Sequence, residues 1–129
     1  MPLDLFVGLT YNINNMEKEI IYYYTLDGKC PYTDWLNKLD TSMQLRVAKR
    51  VDKLKDGLYG DHKPLQKSEL SELRIDFGKG YRIYYYDLKE TIILFLAGSE
   101  KKDQKQVVKQ ADMYFKDYFE RTAENDINS

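Results

Sequence analysis

Hydrophobic and polar positions change period several times along this chain, and each change marks an element. Ile20–Thr25 (IIYYYT) has the β-branched and aromatic content of a strand. Asp27-Gly28 signals a turn, and Pro31 suits the first turn of a helix that carries Trp35, Leu36 and Leu39 inward. Asp40-Thr41-Ser42 punctuates it, with Thr41 or Ser42 as the cap of a second helix running to Gly57. That helix buries Met43, Val47, Val51 and Leu54 at helical spacing. Gly57–Pro64 reads as a loop. Leu70–Phe77 and Tyr81–Asp87 then alternate, whereas Thr91–Ala97 is continuously apolar, as a central strand should be. Asp103 can cap a last helix to about Ala123, whose stripe of Val107, Val108, Ala111, Tyr114, Phe115, Tyr118 and Phe119 is wide. The order β-α-α-β-β-β-α predicts an α+β fold. It has a small, mostly antiparallel sheet, two N-terminal helices on one face and a C-terminal helix at its edge.

The link Phe77-Gly78-Lys79-Gly80-Tyr81 decides where the charges go. A two-residue loop would place Arg82 among Leu73 and Ile75, burying a guanidinium in the core. A three-residue loop, Gly78–Gly80, pairs Phe77 with Tyr81. It gathers Leu73, Ile75, Phe77, Tyr81, Ile83 and Tyr85 on one face. Glu72, Arg74, Asp76, Arg82, Tyr84 and Tyr86 fall on the other. A one-residue slip flips every side chain, and an unpaired buried charge costs several kcal/mol, so the three-residue loop is expected. The polar face fits a solvated surface with an Asp76–Arg82 cross-strand pair. It also fits a surface that binds and cuts RNA, where arginines clamp phosphate, tyrosines stack on bases and Glu72 or a tyrosine moves protons.

Composition narrows the class. A chain of 129 residues, 43% apolar and 32% charged, suits one folded domain and excludes disordered and low-complexity classes. Its longest apolar run, Ile92–Ala97, is far short of the ~20 residues that span a bilayer. No basic segment leads into an apolar one at the start, which argues against a secretory signal. Cys30 stands alone, so an internal disulfide framework and a cysteine zinc site are excluded. A cytoplasmic location, no cofactor and no membrane contact are expected. The net charge of −1 is uneven. Asp4, Glu17 and Glu19 outweigh Lys18 at one end, and Glu120, Glu124 and Asp126 outweigh Arg121 at the other. Residues 20–119 are therefore mildly basic, which suits a phosphate-bearing partner.

Five motifs in order carry a resemblance. They are Gly28-Lys29-Cys30-Pro31-Tyr32-x-x-Trp35-Leu36, Gly57-x-x-Gly60-Asp61-x-Lys63-Pro64-Leu65, Glu72-Leu73-Arg74-Ile75, Phe77-Gly78-x-Gly80-Tyr81-Arg82-Ile83-Tyr84-Tyr85 and Lys101-Lys102-x-Gln104. Together they resemble the RelE/HigB superfamily of type II toxins, closest in pattern to its phage-derived, HigB-like addiction module killer branch. The resemblance covers roughly residues 18–112. It leaves residues 1–17 as an N-terminal extension and 113–129 as an extended C-terminal helix and tail of one RelE-like domain, 1–129.

The resemblance implies a ribosome-dependent mRNA endoribonuclease that inhibits translation. A cognate antitoxin, expected to be a helix-turn-helix DNA-binding protein, would neutralise it. Attack of the ribose 2′-OH on the adjacent phosphate needs a base, an acid and cations for the phosphorane. By position, Arg82 is the implied phosphate-binding arginine, and Arg74 and Glu72 sit where relatives carry a catalytic group. Tyr84 lies on the same face. Lys101, Lys102 and Lys63 fall where relatives place further cations. Some relatives use a tyrosine or histidine near the C-terminus, and Gln106-Val107-Val108 offers neither. Arg46, Arg50 and Lys53 share one helix face, which fits solvent as well as ribosomal RNA. His62, the only histidine, reads as an exposed loop residue. Two other classes stay open: a ParE-like toxin that binds DNA gyrase without catalysis, and an inactive relative retained in an antitoxin repressor complex.

Overall fold

The computed structural model describes residues 17–128; residues 1–16 of the predicted N-terminal extension and Ser129 lie outside them. Five strands form one sheet: β1 (Glu19–Tyr22), β2 (His62–Pro64), β3 (Ser71–Ile75), β4 (Tyr81–Lys89) and β5 (Ile92–Glu100). The helices are α1 (Pro31–Asn37), α2 (Thr41–Lys55) and α3 (Gln104–Asn128), the last entered through a 3₁₀ turn, Lys101–Asp103. The sheet order is β1-β5-β4-β3-β2, with β1 parallel to β5 and every other pair antiparallel. The fold is therefore α+β, with a mostly antiparallel sheet. Among the described residues, no helix is long and apolar enough to cross a membrane.

Local chemistry explains the helix starts. Pro31 opens α1, where its missing N–H removes a donor that would have no partner. The cap of α2 is Asp40 rather than Thr41 or Ser42; its carboxylate accepts from the Met43 N–H at 2.9 Å. A carboxylate there also complements the positive end of the helix dipole.

The two N-terminal helices cover one face as expected. Met43, Val47, Val51 and Leu54 pack with Cys30 and Tyr32 against Leu73, Ile75, Tyr81, Ile83, Tyr85, Ile93 and Phe95. Trp35 lies flat on Gly98, where an added Cβ would come within 2.2 Å of the indole.

Three further expectations are corrected. First, the segment read as a loop contains an edge strand: His62–Pro64 pairs with β3. Three residues with a proline at one end give too short a period to read from sequence, and a proline is tolerated at a sheet edge.

Second, the β3–β4 register sits two residues away from the expected one. Ile75, not Phe77, pairs with Tyr81, so Asp76–Gly80 forms the loop. A slip of two preserves both faces where a slip of one would exchange them. Leu73, Ile75, Tyr81, Ile83 and Tyr85 therefore stay in the core as predicted, but Phe77 leaves it and is 42% exposed. Gly78 (φ +59°) and Gly80 (φ +77°) take the left-handed turns that the longer loop needs.

Third, α3 does not lie at the edge. It covers the second face of the sheet. Ala111, Val107, Val108, Tyr114, Phe115 and Tyr118 pack with Leu70, Tyr84, Leu94, Leu96 and Ala97 in a second core. Tyr86, Phe115 and Phe119 form an aromatic ladder, with centroids 4.6 and 4.7 Å apart. Polar ties reinforce the docking: Tyr23 donates to Asp117 and Ser68 to Asp112, both at 2.6 Å. The face expected to be open is thus half apolar core and half buried charge.

Candidate functional site

Strands β3 and β4 place Arg74 directly opposite Arg82 and Glu72 opposite Tyr84. The parity that keeps Leu73 and Ile83 in the first core puts these four on the other face. Glu72 is only 1% exposed. It accepts from Arg74 Nε at 2.9 Å and from Gln104 Nε2 at 2.6 Å, and its Oε2 lies 3.8 Å from Arg82 Nε. One carboxylate is thus shared by two arginines and an amide from the first turn of α3. Such charge-assisted bonds are the strong ones, and the Glu72 bond holds the Arg74 guanidinium in its charged form.

Arg82 is 5% exposed. Its Nη1 donates to the Asp76 carboxylate at 3.2 Å and to the carbonyl of Tyr81 at 3.0 Å. The Asp76–Arg82 pair predicted from sequence is present, but as a loop-to-strand contact rather than a cross-strand one. Arg82 Nε has no hydrogen-bond partner among the described residues. A buried guanidinium left partly unsatisfied is costly and marks a place where the fold yields to another requirement.

Glu72 and Tyr84, the residues expected to move protons, are both engaged with protein partners here. Both Glu72 oxygens are already engaged. Tyr84 is fully buried, and its hydroxyl pairs with Ser99 Oγ at 2.8 Å. Burial pushes that hydroxyl up to about 12, further from neutrality than an ordinary tyrosine. Arg74 is the accessible member of the group, with its side chain 28% exposed.

The other predicted cations divide. Lys63 registers opposite Glu72, so it leaves the sheet edge from the same face. Lys101 lies against Gly80, beside Arg82. Lys102 is turned onto Glu100 at 3.5 Å. Arg50 donates to the carbonyls of Tyr59, Asp61 and Arg74, clamping the β2 approach to β3. His62 is exposed, with Nδ1 2.9 Å from the carbonyl oxygen of Gly60.

The structure also unites residues that sequence left apart. Arg46, Lys49, Arg50 and Lys53 of α2 line a cleft of about 270 Å³ with Arg74, Ile75, Asp76 and Phe77. The Arg46 guanidinium sits 3.4 Å from the centroid of the Phe77 ring. Two contributors, Lys49 and Gln104, carry no assigned role in the sequence reading. Lys49 follows Arg46 by three residues and precedes Lys53 by four, a helical signal that includes it on that face. Gln104 gives no such signal, because its partner is 32 residues away.

No family model matches the chain. A protein from Haemophilus influenzae described as uncharacterized is 32% identical over 83 residues, spanning 64% of this chain and 83% of that protein.

Proposed function

This chain belongs to the same family as the uncharacterized Haemophilus influenzae protein; from its motif resemblance and the geometry of the β3–β4 site we propose that it is a type II toxin of the RelE/HigB kind, a ribosome-dependent mRNA endoribonuclease. The observation that carries the reading is the registered Arg74–Arg82 pair around Glu72, open to a cationic cleft on the Arg74 side. Each guanidinium also meets an aspartate, Asp61 at 3.8 Å from Arg74 and Asp76 at 3.2 Å from Arg82, so the surplus positive charge that a phosphate can bind comes from Arg46, Lys49 and Lys53 of the cleft beside Arg74.

In this reading the ribose 2′-OH gives its proton to water and attacks the adjacent phosphate, the P–O5′ bond breaks to leave a 2′,3′-cyclic phosphate and a 5′-hydroxyl that takes up a proton from water, and the phosphorane between them carries one more negative charge than the diester. Fixed cations stabilise that extra charge more than they stabilise the ground state. Arg74 presents the phosphate contact. Glu72 acts as a positioning residue, holding Arg74 Nε while the guanidinium, with Nη1 3.8 Å from Asp61, stays partly exposed. Gln104 in turn holds Glu72, and Lys63 and Lys101 add positive charge around the site. An antitoxin and the ribosome are the proposed partners, in the cytoplasm.

The burial of Glu72 and Tyr84 favours one further reading, an inactive relative that acts with its antitoxin in repression. Expression in a bacterial host followed by mapping of mRNA 5′ ends separates the two. Growth arrest with cuts that depend on ribosomes, diminished by Arg74→Lys, supports the nuclease. Unarrested growth with no cuts favours the inactive relative, and arrest without cuts points to a gyrase-directed toxin.

A further inference from the structure

The cleft beside Arg74 has features that the cleavage chemistry does not need. Five cationic side chains line it against one carboxylate. That carboxylate, Asp76, is already paired with Arg82 at 3.2 Å. Among the described residues, no carboxylate lies within ion-pair distance of Arg46, Lys49 or Lys53. Like charges crowded on one helix face repel, so the cleft gains from any anion placed between them.

The shape narrows the anion. The cleft lies between α2 and the end of β3, and its volume of about 270 Å³ falls just under the ~300–1,000 Å³ of drug-sized pockets. It encloses one unit of a polymer rather than a long segment. At its rim the Arg46 guanidinium lies over the exposed Phe77 ring. Both the guanidinium and the ring are planar groups on which an unstacked base can lie. Duplex nucleic acid keeps its bases stacked inside and offers none to such a platform.

The geometry points to a subsite for one nucleotide of single-stranded RNA, with its phosphate between Lys49, Lys53 and Arg74 and its base on the Arg46–Phe77 stack. This inference rests on the reading of the chain as an RNA-directed protein and adds where a nucleotide flanking the cut is held. Phe77 is available for this because the register places it in the loop rather than in the core. Arg50 contributes charge while its donors hold the loop that forms one wall.

The test uses the whole chain and a fluorescently labelled, 2′-O-methylated single strand of ~10 nucleotides, within the 4–16 typical of such sites. The methyl groups block cleavage, so anisotropy reads binding alone. Lys49→Glu with Lys53→Glu should weaken binding more than tenfold. It should also flatten the log–log salt dependence by ~0.7 for each phosphate that is no longer neutralised. Phe77→Ala should weaken binding about fivefold or more, because the base loses its stacking surface, and should leave the salt slope unchanged. Circular dichroism checks that both variants remain folded, which their exposed positions favour. Parental affinity in the double lysine variant overturns the subsite. So does equal, lysine-dependent binding of duplex DNA. If the oligonucleotide binds as expected while the parent makes no cuts on ribosomes, the nuclease reading fails and the subsite stands.

Discussion

Arg74 and Arg82 are registered opposite one another on adjacent strands, two like charges in a position where strands usually place a complementary pair. What makes the arrangement tolerable is Glu72, which reaches both, with Asp76 and Asp61 at the outer ends of the two guanidiniums. The carboxylate is therefore as important to the fold as the arginines are to the proposed chemistry.

Glu72→Gln should consequently be among the most damaging single changes on this face. It leaves two guanidiniums opposed and removes the charge that Gln104 and Arg74 bind. Breaking a buried, hydrogen-bonded ion pair by removing one partner costs about 3–5 kcal/mol. Urea unfolding of the parent and variant measures it. A loss below ~1 kcal/mol, the value of an exposed pair, would show that the carboxylate is solvated.

Arg82 and Arg74 should separate into structural and chemical roles. A surface-exposed Arg82 would leave Arg82→Ala fully stable, but its burial changes that expectation. Removing it frees Asp76 and empties a buried volume, so a loss of about 1–3 kcal/mol is expected. Arg74→Lys, at a partly exposed position, should stay near parental stability. It should lose about 10²-fold in cleavage rate, because an ammonium cannot serve Glu72 and a phosphate with one planar fork. Thermal melting beside a ribosome cleavage assay distinguishes the two; parental cleavage by Arg74→Lys would remove Arg74 from the site.

Gly98→Ala tests the packing beneath α1. Its Cβ would fall 2.2 Å from Trp35 Cε3 and 2.3 Å from Cδ2, so the indole must shift. Overpacking of this kind costs about 1–3 kcal/mol or more. The loss should shrink when Trp35→Ala is added, giving a non-additive double-mutant cycle. Additive losses would mean that the ring and the glycine do not share space.

Alkaline pH should destabilise the protein through its buried tyrosines. Burial, then the bond to Asp117, pushes Tyr23 up to about 12; burial does the same for Tyr84. Tyr32, Tyr59 and Tyr85 are also raised, each chiefly by burial. In the unfolded chain tyrosines ionise near pH 10. Above that pH the unfolded state binds fewer protons than the folded one, so stability is full below about pH 10 and falls toward pH 12. The buried Tyr23 and Tyr84 each add a slope of up to about 1.4 kcal/mol per pH unit. Melting temperatures across this range check the sign, and Tyr84→Phe should make the decline shallower.

The sequence by itself determined the face that each residue of β3 and β4 would occupy. Alternation is a local property, so Leu73 and Ile83 announced one face and Glu72, Arg74 and Arg82 the other. The same holds for Met43, Val47, Val51 and Leu54, whose helical spacing needs no partner to be read. What lay on top of each face was decided only by tertiary packing. The helix carrying the wide aromatic stripe was expected at the edge of the sheet, and its docking across the second face turned an expected solvated surface into buried charge. The register of β3 against β4 was also open. Two alignments differing by two residues bury the same core side chains, and only the loop's glycines and the placement of Phe77 tell them apart. The cationic cleft needs both decisions, since α2 and the Asp76–Phe77 loop are more than twenty residues apart in the chain and meet only once the sheet is assembled.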